Sequence, residues 1–421
     1  MNIALLNDSF PPLIDGVANT VVNYANVLTK MGEKAIVVTP EYPDTDDSGF
    51  PYQVVRYPGV DIRKIAGYIA GIPFSPATQK KLQGFQVEIL HSHCPFMSTI
   101  LARTAAKPLN IPLVMTYHTK FDLDIERIIK MKVVQESILH SLVDNINACD
   151  EVWTVSRGAG ENLRSIGYEG NYIVMENGVD IPKGRLPEDR VRELTVHPDI
   201  PEKVPVFLFV GRLFWYKGIR ITLDALAALR SVGYDFRMVF IGKGEEAEEI
   251  RKYTGTLRIA DKVIFLGPVY DRETLRAWYC RADLFLFPST FDTNGLVVRE
   301  AAAASLPSVL VADSCAAEGI TTFKNGFLIN ENASSMAAML AKIIEHPELL
   351  SYVRSRVADD LYVSWEDAIR KAHERYQIVI DNFKSGKYPP HKRPTDEFYK
   401  MAGSLVDLIA QYGSKEDPEY E

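Results

Sequence analysis

Short runs of apolar residues alternate with amphipathic stretches along most of this 421-residue chain. Apolar runs of roughly four to eight residues predict buried strands, whereas apolar residues three and four positions apart predict helices. The first part of the chain carries the runs NIALL, KAIVVTP, VEILHSH, PLVMTYH, EVWTVS and NYIVMENG. The stretches between them predict helices, among them one near 97–107 and one over about 123–147. This alternation predicts an α/β protein with a parallel sheet and helices on both of its faces.

The alternation stops in a segment rich in proline and charge, residues 179–205, which we interpret as an interdomain connection. It restarts with the runs VFLFVGR, FRMVFIG, KVIFLG, LFLFPS, PSVLVA and FLIN. The pattern predicts two doubly wound, Rossmann-like domains over residues 1–185 and 200–364. C-terminal helices over about 365–421, including one near 394–412, are expected to pack back on the first domain. Ligands of such sheets bind at the carboxyl ends of the strands, so we expect the site in a cleft across which the domains face one another.

Composition and charge narrow the classes of partner and compartment. Hydrophobic residues make up 47% and charged residues 24% of the chain, which is typical of a soluble globular protein. The net charge of -8 argues against a nucleic-acid partner, because such proteins need a basic face to neutralise phosphates. The four cysteines lack metal-ligand spacing and suit a reducing compartment. With no signal-peptide pattern and no apolar stretch of roughly 20 residues, the sequence predicts a cytoplasmic protein, whose membrane contact would be peripheral and at the inner face.

The stretch PSTFDTNGLVVREAAAA combines two carboxylates with a helix start. A helix N-terminus binds anions through its free amides and its partial positive charge. Carboxylates accept hydrogen bonds from sugar hydroxyls, so an acid on either side of a phosphate favours a nucleotide sugar. The alternative is an N-cap aspartate followed by a surface glutamate. The first interpretation predicts a donor site formed by Asp292, Asn294, Gly295, Leu296, Val297 and Glu300.

Three further segments offer groups for the same ligand. FVGRLFWYKG places Arg212 at a strand end and Lys217 at the start of the next helix, a pair of cations suited to a diphosphate. SFPPLIDGV places Gly16 at a strand-to-helix turn, where the backbone can approach an anion closely. MTYHTKFD places His118 just beyond a strand end, where a functional role and a structural role are equally favoured.

Other patterns suggest different chemistry and are rejected. Gly242 and Gly244 in IGKGEEA have the spacing of a dinucleotide-binding loop, but they do not follow the first strand of their domain and no acid follows at the expected place. Asp122 and Asp124 have the spacing of metal-dependent transferases, but they begin a predicted helix, where acids suit the helix dipole. The two histidines of HSHC lack a further ligand and are interpreted as core and cleft lining. The sequence therefore predicts neither a metal nor a cofactor.

Several motifs together resemble those of one known family. In collinear order they are PPLIDGV, HSHCPF, TYHT, VSRGAGENL, ENGVD, FVGRLFWYKG, IGKGEE, FLGPV and DTNGLVVREAAA. They resemble the retaining glycosyltransferases of GT-B architecture, of the family 4 type, and the resemblance covers nearly the whole chain. Within that family, DSFPPLIDGVANTV and the spacing of HSHCPF and TYHT are most similar to the bacterial diacylglycerol glucosyltransferases.

The resemblance implies roles for the two acids and the two cations. Asp292 matches the acid that binds hydroxyls of the donor sugar, and Glu300 matches the acid that binds the nucleoside ribose. Arg212 and Lys217 match the residues that neutralise the diphosphate. The first acid is an aspartate here, where a glutamate is commoner in the family, so its reach is shorter by one methylene.

The resemblance extends to residues outside this group. Gly16 matches the glycine that closes over the diphosphate, and His118 matches the histidine near the transferred sugar. Pro268 and Val269 in FLGPV are expected to lie near the base. Ser305 replaces a glycine that is usual in the family.

The activity implied is the transfer of a hexose from a nucleotide sugar, UDP-glucose by resemblance, with retention of anomeric configuration. The acceptor implied is a membrane lipid such as diacylglycerol. In such chemistry the leaving diphosphate itself helps to deprotonate the acceptor, so the protein supplies charge neutralisation and positioning. The alternatives are transfer to a soluble or polysaccharide acceptor, a nucleotide-sugar 2-epimerase of the same fold, and a sugar-nucleotide binding protein without activity.

Two segments of the first domain pair basic residues with apolar faces. IRKIAGYIAGIPF carries Arg63 and Lys64, and ERIIKMKVVQESILHSLV carries Arg127, Lys130 and Lys132. Such segments bind anionic lipid headgroups. On the pattern alone, a core-packed helix with a charged outer face is the alternative, so the lipid acceptor and an anionic membrane surface as partners rest mainly on the resemblance.

Overall fold

The chain folds into two compact units. The computed structural model describes residues 1–13, 15–43, 45–61 and 69–390. The first unit contains Met1–Glu176 and the segment that begins at Trp365, and the second contains Asn177–Ser364. The connection expected at 179–205 folds with the second unit. The helix expected near 394–412 lies outside the described residues.

The first unit is built on a parallel sheet. The strands of this sheet are β1 (Asn2–Leu6), β2 (Lys34–Pro40), β3 (Gln53–Tyr57), β6 (Ile89–Ser92), β7 (Leu113–Tyr117), β8 (Glu151–Thr154) and β9 (Tyr172–Val174). The strands β4 (Gly59–Asp61) and β5 (Ile69–Gly71) form a separate antiparallel pair. Its helices are α1 (Gly16–Lys30), α2 (Pro76–Phe85), α3 (Met97–Leu109), α4 (Phe121–Ile128), α5 (Lys132–Asn147), α6 (Arg157–Ser165) and, from the end of the described chain, Trp365–Lys384. The strand order β3-β2-β1-β6-β7-β8-β9 reverses between β1 and β6.

Alternate residues of β1 pack into separate hydrophobic clusters, one on each face of the sheet. Helices therefore cover both faces. Ile3 and Leu5 pack with α1 and with the helix Trp365–Lys384, whereas Ala4 and Leu6 pack with α2 and α3. In the helix Trp365–Lys384, the ring of Tyr376 stacks on the ring of Trp153 at a centroid distance of 5.3 Å. This segment from beyond the second unit therefore completes the core of the first.

The helix expected over 123–147 is two helices, α4 and α5, and the prediction of one was wrong. Ile129 adopts an extended conformation after α4, and its carbonyl accepts a hydrogen bond of 2.6 Å from Gln135 Nε2. The break folds α4 back on α5, so that Ile125 and Ile129 are buried against Ile138. A continuous helix would leave these isoleucines in solvent, and tertiary packing overrides the local periodicity.

The second unit contains another parallel sheet. Its strands are β10 (Val206–Val210), β11 (Arg237–Ile241), β12 (Val263–Gly267), β13 (Leu284–Leu286), β14 (Ser308–Val311) and β15 (Phe327–Ile329). Its helices are α7 (Glu188–Leu194), α8 (Ile219–Ser231), α9 (Ala247–Thr256), α10 (Arg272–Arg281), α11 (Leu296–Ala303), α12 (Ala333–Glu345) and α13 (Pro347–Leu361), so that Trp365–Lys384 is α14. Among the helices of the described ranges, none is long and apolar enough to cross a membrane.

The strand order of the second sheet, β12-β11-β10-β13-β14-β15, reverses between β10 and β13. Leu208 of β10 is paired with Val239 on one side and Phe285 on the other, all in parallel register. The loops that leave β10 and β13 turn to opposite faces of the sheet, and ligands of doubly wound sheets bind in the crevice between such loops. The segments with Arg212 and Asp292 are these two loops.

The glycine pattern of IGKGEEA has a steric explanation in the fold. A Cβ atom on Gly242 would lie 1.9 Å from the Gly211 carbonyl oxygen, and one on Gly244 would lie 2.3 Å from the Leu213 carbonyl oxygen. These glycines let the loop after β11 lie directly against the loop after β10, and Leu213 N donates a hydrogen bond of 3.0 Å to the Lys243 carbonyl. Close packing between the backbones of these two loops therefore explains the spacing of Gly242 and Gly244.

We predict that Gly242→Ala destabilises the second unit by about 3 kcal/mol or more, because the change adds overpacking to a backbone φ of 143° that L-residues rarely adopt. Thermal unfolding measures the loss. The matched control is Gly255→Ala in α9, where no described atom lies within 4 Å of the added methyl group and the expected change is a gain of about 0.5–1 kcal/mol. Equal stability of the two variants would contradict the steric account.

Candidate functional site

The loops after β10 and β13 are in direct contact at the point where the strand order reverses. Gly218, which precedes α8, has a φ of 75°, and a Cβ atom there would lie 2.3 Å from the Pro288 carbonyl oxygen. The lack of a side chain at Gly218 thus allows the backbones of the two loops to touch. This contact brings Lys217 of the first loop to Asp292 of the second.

Lys217 and Asp292 form an ion pair with little access to solvent. Lys217 Nζ lies 2.8 Å from Asp292 Oδ2, and the residue Lys217 is 8% exposed. Ser289 donates a second hydrogen bond of 2.7 Å from its hydroxyl to the same oxygen. The rings of Tyr216 and Phe291 lie 5.5 and 6.0 Å from the ammonium group. A cation held in aromatic surroundings and paired with one carboxylate oxygen is prepared to bind a further anion.

Arg212 is also in the loop after β10, but its environment differs from that of Lys217. Its guanidinium is exposed and lies 5.6 Å from the centroid of the Phe214 ring. Phe214 in turn stacks on Tyr216, whose ring contacts Phe291 of the other loop. A row of aromatic rings thus connects the exposed cation to the buried ion pair.

The start of α11 follows Asp292 by four residues and has no side-chain cap. Its N-cap, Gly295, has a φ of 59°, and a Cβ atom there would lie 2.9 Å from Ala316 Cα. The amide Nδ2 of Asn294 is buried and makes no hydrogen bond within the described part of the chain. A buried donor without a partner costs roughly 1–3 kcal/mol, so this group is available to an acceptor atom of a ligand. Leu296 and Val297 form the first turn, as the sequence predicts.

Glu300 lies one turn further along α11 and is held by groups that the sequence analysis did not identify. Tyr279 donates a hydrogen bond of 3.0 Å to Glu300 Oε2, and Arg272 Nη1 lies 3.5 Å from Oε1. Arg272 also pairs with Asp180 at 2.6 Å. Burial raises the pKa of Glu300, while the hydrogen bond from Tyr279 and the charge of Arg272 act to lower it. A tyrosine on the buried face of a helix needs a hydrogen-bond partner for its hydroxyl group. This need was the feature of the sequence that could have pointed to Tyr279.

Pro268 and Val269 follow β12, at the same edge of the sheet as the loops described above. The Gly267 carbonyl accepts a hydrogen bond of 2.9 Å from Gly242 N, which fixes the end of β12 against the loop after β11. Val269 packs on the core of the unit and Pro268 is exposed. All the candidate residues of the second unit are therefore at the carboxyl ends of its strands or in the helix that follows.

In the first unit, Gly16 is the first residue of α1. Asp15 caps this helix, accepting hydrogen bonds of 2.8 and 2.7 Å from the amides of Val17 and Ala18. Gly16 is exposed, and no described atom lies within 4 Å of the position that a Cβ atom would take. The packing of the first unit does not require a glycine here, in contrast to Gly242.

His118 follows β7 and belongs to a buried group of histidines. Its Nε2 lies 3.0 Å from Nδ1 of His93, and the two rings are stacked. His91 is 4.0 Å from His93 between ring centroids, and its two nitrogens lie within hydrogen-bond distance of the hydroxyls of Tyr376 and Thr116. Burial lowers the pKa of all three imidazoles, that of His118 to about 3. These histidines are therefore neutral at physiological pH.

Two further observations concern the polar core of this unit. The carboxyl group of Asp8 accepts a hydrogen bond of 2.8 Å from Ser98 N, and burial raises its pKa to about 6. Within the described part of the chain, no group of three or more histidine, cysteine, aspartate or glutamate side chains is arranged to hold a metal ion.

Comparison with known sequences identifies the class of protein. The family model for glycosyltransferase family 4 matches residues 14–183, and the model for glycosyl transferases group 1 matches residues 192–358. The chain therefore belongs to this glycosyltransferase family, and it is a transferase of GT-B type with two Rossmann-like halves. The sequence-based prediction of family and fold is confirmed.

Individual relatives share modest identity over most of their length. The chain is 26% identical to an alpha-monoglucosyldiacylglycerol synthase of Streptococcus pneumoniae, over 91% of this chain and 88% of that protein. It is also 26% identical to a GDP-mannose-dependent alpha-mannosyltransferase of Corynebacterium glutamicum, over 90% and 89% of the two chains. Among solved structures, Anabaena HepE in complex with UDP has a TM-score of 0.69 at 19% identity, covering 90% of this chain and all of that one.

We predict that acidification destabilises the protein between pH 6.5 and 5. The unfolded chain protonates its histidines near pH 6.5, whereas the folded state keeps His91, His93 and His118 neutral, so stability falls as the pH falls. Asp8 and Glu300 oppose this effect, because burial raises the pKa of both carboxyl groups and the folded state then binds protons that the unfolded state has released. The unfolded chain binds three histidine protons and the folded chain binds at most two carboxyl protons, so we expect a slope of roughly 1–3 kcal/mol per pH unit.

Urea unfolding at several pH values measures this slope. His91→Gln removes one of the three protons and is expected to reduce the slope by about 1.4 kcal/mol per pH unit. Substitution of the exposed His140 by glutamine is the control. A free energy of unfolding that is constant or rises on acidification from pH 6.5 would contradict the prediction.

Proposed function

We propose that the protein is a retaining hexosyltransferase that uses a nucleotide sugar, UDP-glucose first among the candidates, and a membrane lipid such as diacylglycerol as acceptor. The observation that carries the proposal is the pair of Lys217 with Asp292 beside the uncapped start of α11. A cation, free amides and a carboxylate at one point match a diphosphate that carries a sugar. The likeness to a monoglucosyldiacylglycerol synthase supports glucose and diacylglycerol.

In this proposal the diphosphate binds at the start of α11. Lys217 and Arg212 neutralise its charge, and the amides of Leu296 and Val297 donate hydrogen bonds to its oxygens. The unpartnered Asn294 amide lies at the same helix start and is a further donor. Once Lys217 faces the diphosphate, Asp292 becomes available to accept a hydrogen bond from a hydroxyl of the hexose. Gly295 lets the backbone approach the anion, and the family resemblance supports the same role for Gly16.

The remaining site residues bind the nucleoside and the sugar. Glu300 has two carboxylate oxygens for the two hydroxyls of a ribose, and Tyr279 keeps the carboxylate in place. Pro268 and Val269 lie near the base. His118 contacts the transferred sugar. Asp292 and His118 are thus the proposed catalytic residues, both through contact with the hexose and neither as a nucleophile.

The reaction exchanges one bond at the anomeric carbon. The bond from that carbon to the diphosphate oxygen breaks, the acceptor hydroxyl oxygen bonds to the same carbon on the same face, and the hydroxyl proton passes to the leaving diphosphate. The protein's part is to stabilise the negative charge that grows on the diphosphate. No step in this scheme uses a metal or another cofactor. The likeness to a GDP-mannose-dependent mannosyltransferase supports GDP-mannose as the second candidate donor.

The proposed contact with an anionic membrane surface rests on α4, α5 and the residues that join them. Met131 is 52% exposed and Val133 is 75% exposed, and the exposed basic residues Lys130 and Lys132 alternate with them. Exposed apolar side chains between lysines are typical of a segment that lies in a lipid headgroup layer. Arg63 and Lys64 lie outside the described residues, as does the side chain of Arg127. Peripheral binding at the inner face of a membrane is the localisation that this proposal implies.

We predict that Lys217→Ala and Arg212→Ala each lower kcat/KM for the nucleotide sugar, Lys217→Ala by about 100-fold or more, because a preorganised charge at the leaving group is lost. Steady-state transfer assays with UDP-glucose and GDP-mannose measure the effect. The matched control is Lys252→Ala, which removes an exposed lysine from α9 and is expected to change nothing.

Turnover that is unchanged in both Lys217→Ala and Arg212→Ala would refute the proposal. Incubation with the nucleotide sugar alone tests the alternative activity, since only a 2-epimerase yields an isomeric nucleotide sugar without an acceptor. Binding of the donor with no product from any acceptor would favour a binding protein.

We predict salt-sensitive binding to vesicles that contain anionic lipid. In sedimentation assays, replacement of Lys130 and Lys132 by alanine is expected to weaken binding about fivefold per lysine, which corresponds to about 1 kcal/mol each. The double substitution Met131→Ser and Val133→Ser is expected to weaken the part of vesicle binding that does not depend on salt concentration, because it removes two exposed apolar side chains. Lys252→Ala is again the control. Equal sedimentation with neutral and anionic vesicles would contradict the membrane contact.

A further inference from the structure

His93 and His118 follow neighbouring strands of the first sheet and share one hydrogen bond. β6 and β7 are paired in parallel, with Ser92 opposite Met115, so the residues just beyond their carboxyl ends are neighbours. Nδ1 of His93 lies 3.0 Å from Nε2 of His118, and the rings are stacked at an angle of 23°. His93 is 1% exposed, which leaves this bond shielded from water.

Only one proton lies between the two nitrogens, because burial keeps both imidazoles neutral. A neutral imidazole carries a single N–H, on either nitrogen. If His118 were the donor, His93 would carry its proton on Nε2. That atom is buried and has no hydrogen-bond partner among the residues that the structure describes. If His93 is the donor, its proton is on Nδ1 and its Nε2 carries no proton. Orphaned buried N–H groups are rare in proteins, which favours the second arrangement.

The third histidine does not alter this assignment. Both nitrogens of His91 contact hydroxyl groups, those of Tyr376 at 2.5 Å and Thr116 at 2.6 Å. A hydroxyl donates or accepts as required, so His91 is satisfied in either tautomer. A further neighbour of His93 is the ring of Tyr24, in an edge-to-face contact at 5.1 Å. An aromatic ring offers an N–H group only a weak contact, which does not replace a hydrogen bond.

We propose that His93 is a positioning residue that fixes His118 in the tautomer with its proton on Nδ1, so that His118 offers substrate a hydrogen-bond donor and no base. Among the described residues, the one hydrogen bond of His118 is that with His93, which leaves Nδ1 for a ligand. The ligand atom it suits is an oxygen of the hexose in the nucleotide sugar. This last step rests on the proposed function, whereas the tautomer itself does not.

The assignment decides between two roles that a histidine near a transferred sugar can take. A general base needs a bare nitrogen facing the acceptor hydroxyl, and the proposed tautomer has none there. The proton of the acceptor must then pass to the leaving diphosphate, as in the reaction scheme above. His118 instead holds the hexose through its N–H while the bond to the diphosphate breaks.

The tautomer is measurable in the full chain without any substrate. In ¹⁵N–¹H correlation spectra of the protein labelled at histidine, we expect His118 to show a protonated Nδ1 and a bare Nε2 at pH 7. The signal is assigned with His118→Asn. A protonated Nε2 on His118 would overturn the proposal, whatever the enzyme transfers.

Three substitutions of His93 separate its hydrogen bond from its bulk. His93→Asn keeps a donor amide near the position of Nδ1, His93→Leu has no donor, and His93→Asp has only acceptors. His93→Asp is expected to move the His118 proton to Nε2, and a His118 that stays protonated on Nδ1 in this variant would count against the proposal. We expect His93→Leu and His93→Asp to lose about 100-fold in kcat/KM, the loss typical of one preorganised donor.

His93→Asn is expected to restore most of that activity, which a role in packing alone would not produce. If the asparagine variant is as slow as the leucine variant while both unfold at the wild-type temperature, the positioning role is refuted. A wild-type protein that transfers no sugar from any nucleotide would sink the proposed function alone. The spectra of that inactive protein would still confirm or refute the tautomer that His93 imposes.

Discussion

The ion pair between Lys217 and Asp292 is the contact around which the second unit's site is built. The two residues are far apart in the chain, and they meet because β10 and β13 are adjacent where the strand order reverses. Gly218 allows the loops to touch. Contacts with the opposite charge, with one serine hydroxyl and with aromatic rings replace water around these two side chains. Removal of either partner would therefore leave a poorly solvated charge. A site of this kind is organised before any ligand arrives, and a ligand that carries both a diphosphate and hydroxyls satisfies both partners.

Burial sets the chemical state of the other polar groups. Burial opposes the ionisation of Glu300, and the hydrogen bond from Tyr279 and the charge of Arg272 favour it. In the first unit, burial keeps His118 and His93 neutral, and the hydrogen bond between them then determines where the protons lie. In each unit a buried neighbour thus holds a residue that is proposed to contact substrate, Tyr279 for Glu300 and His93 for His118.

The two kinds of glycine in this chain illustrate how a motif acquires its meaning. Gly242 and Gly244 reproduce the spacing of a dinucleotide loop, yet their hydrogen atoms face the backbone of the neighbouring loop at a distance where no Cβ atom fits. Gly16 meets no such obstacle in its own unit. A glycine that packing does not require is the better candidate for a ligand contact, and this distinction needs coordinates.

Apolar periodicity and residue type are local properties, so they were enough to predict the family, the α/β class and most of the strands, although not β3, β4 and β5, and to propose the acids and cations of the candidate site. The sequence by itself did not determine the break between α4 and α5, where the gain from burying Ile125 and Ile129 exceeds the cost of ending a helix. Nor did it show that Tyr279 supports Glu300, that Ser289 shares Asp292 with Lys217, or that His93 bonds to His118. These partners lie on different strands and helices, so only the packing of the folded chain brings their polar atoms within hydrogen-bond distance.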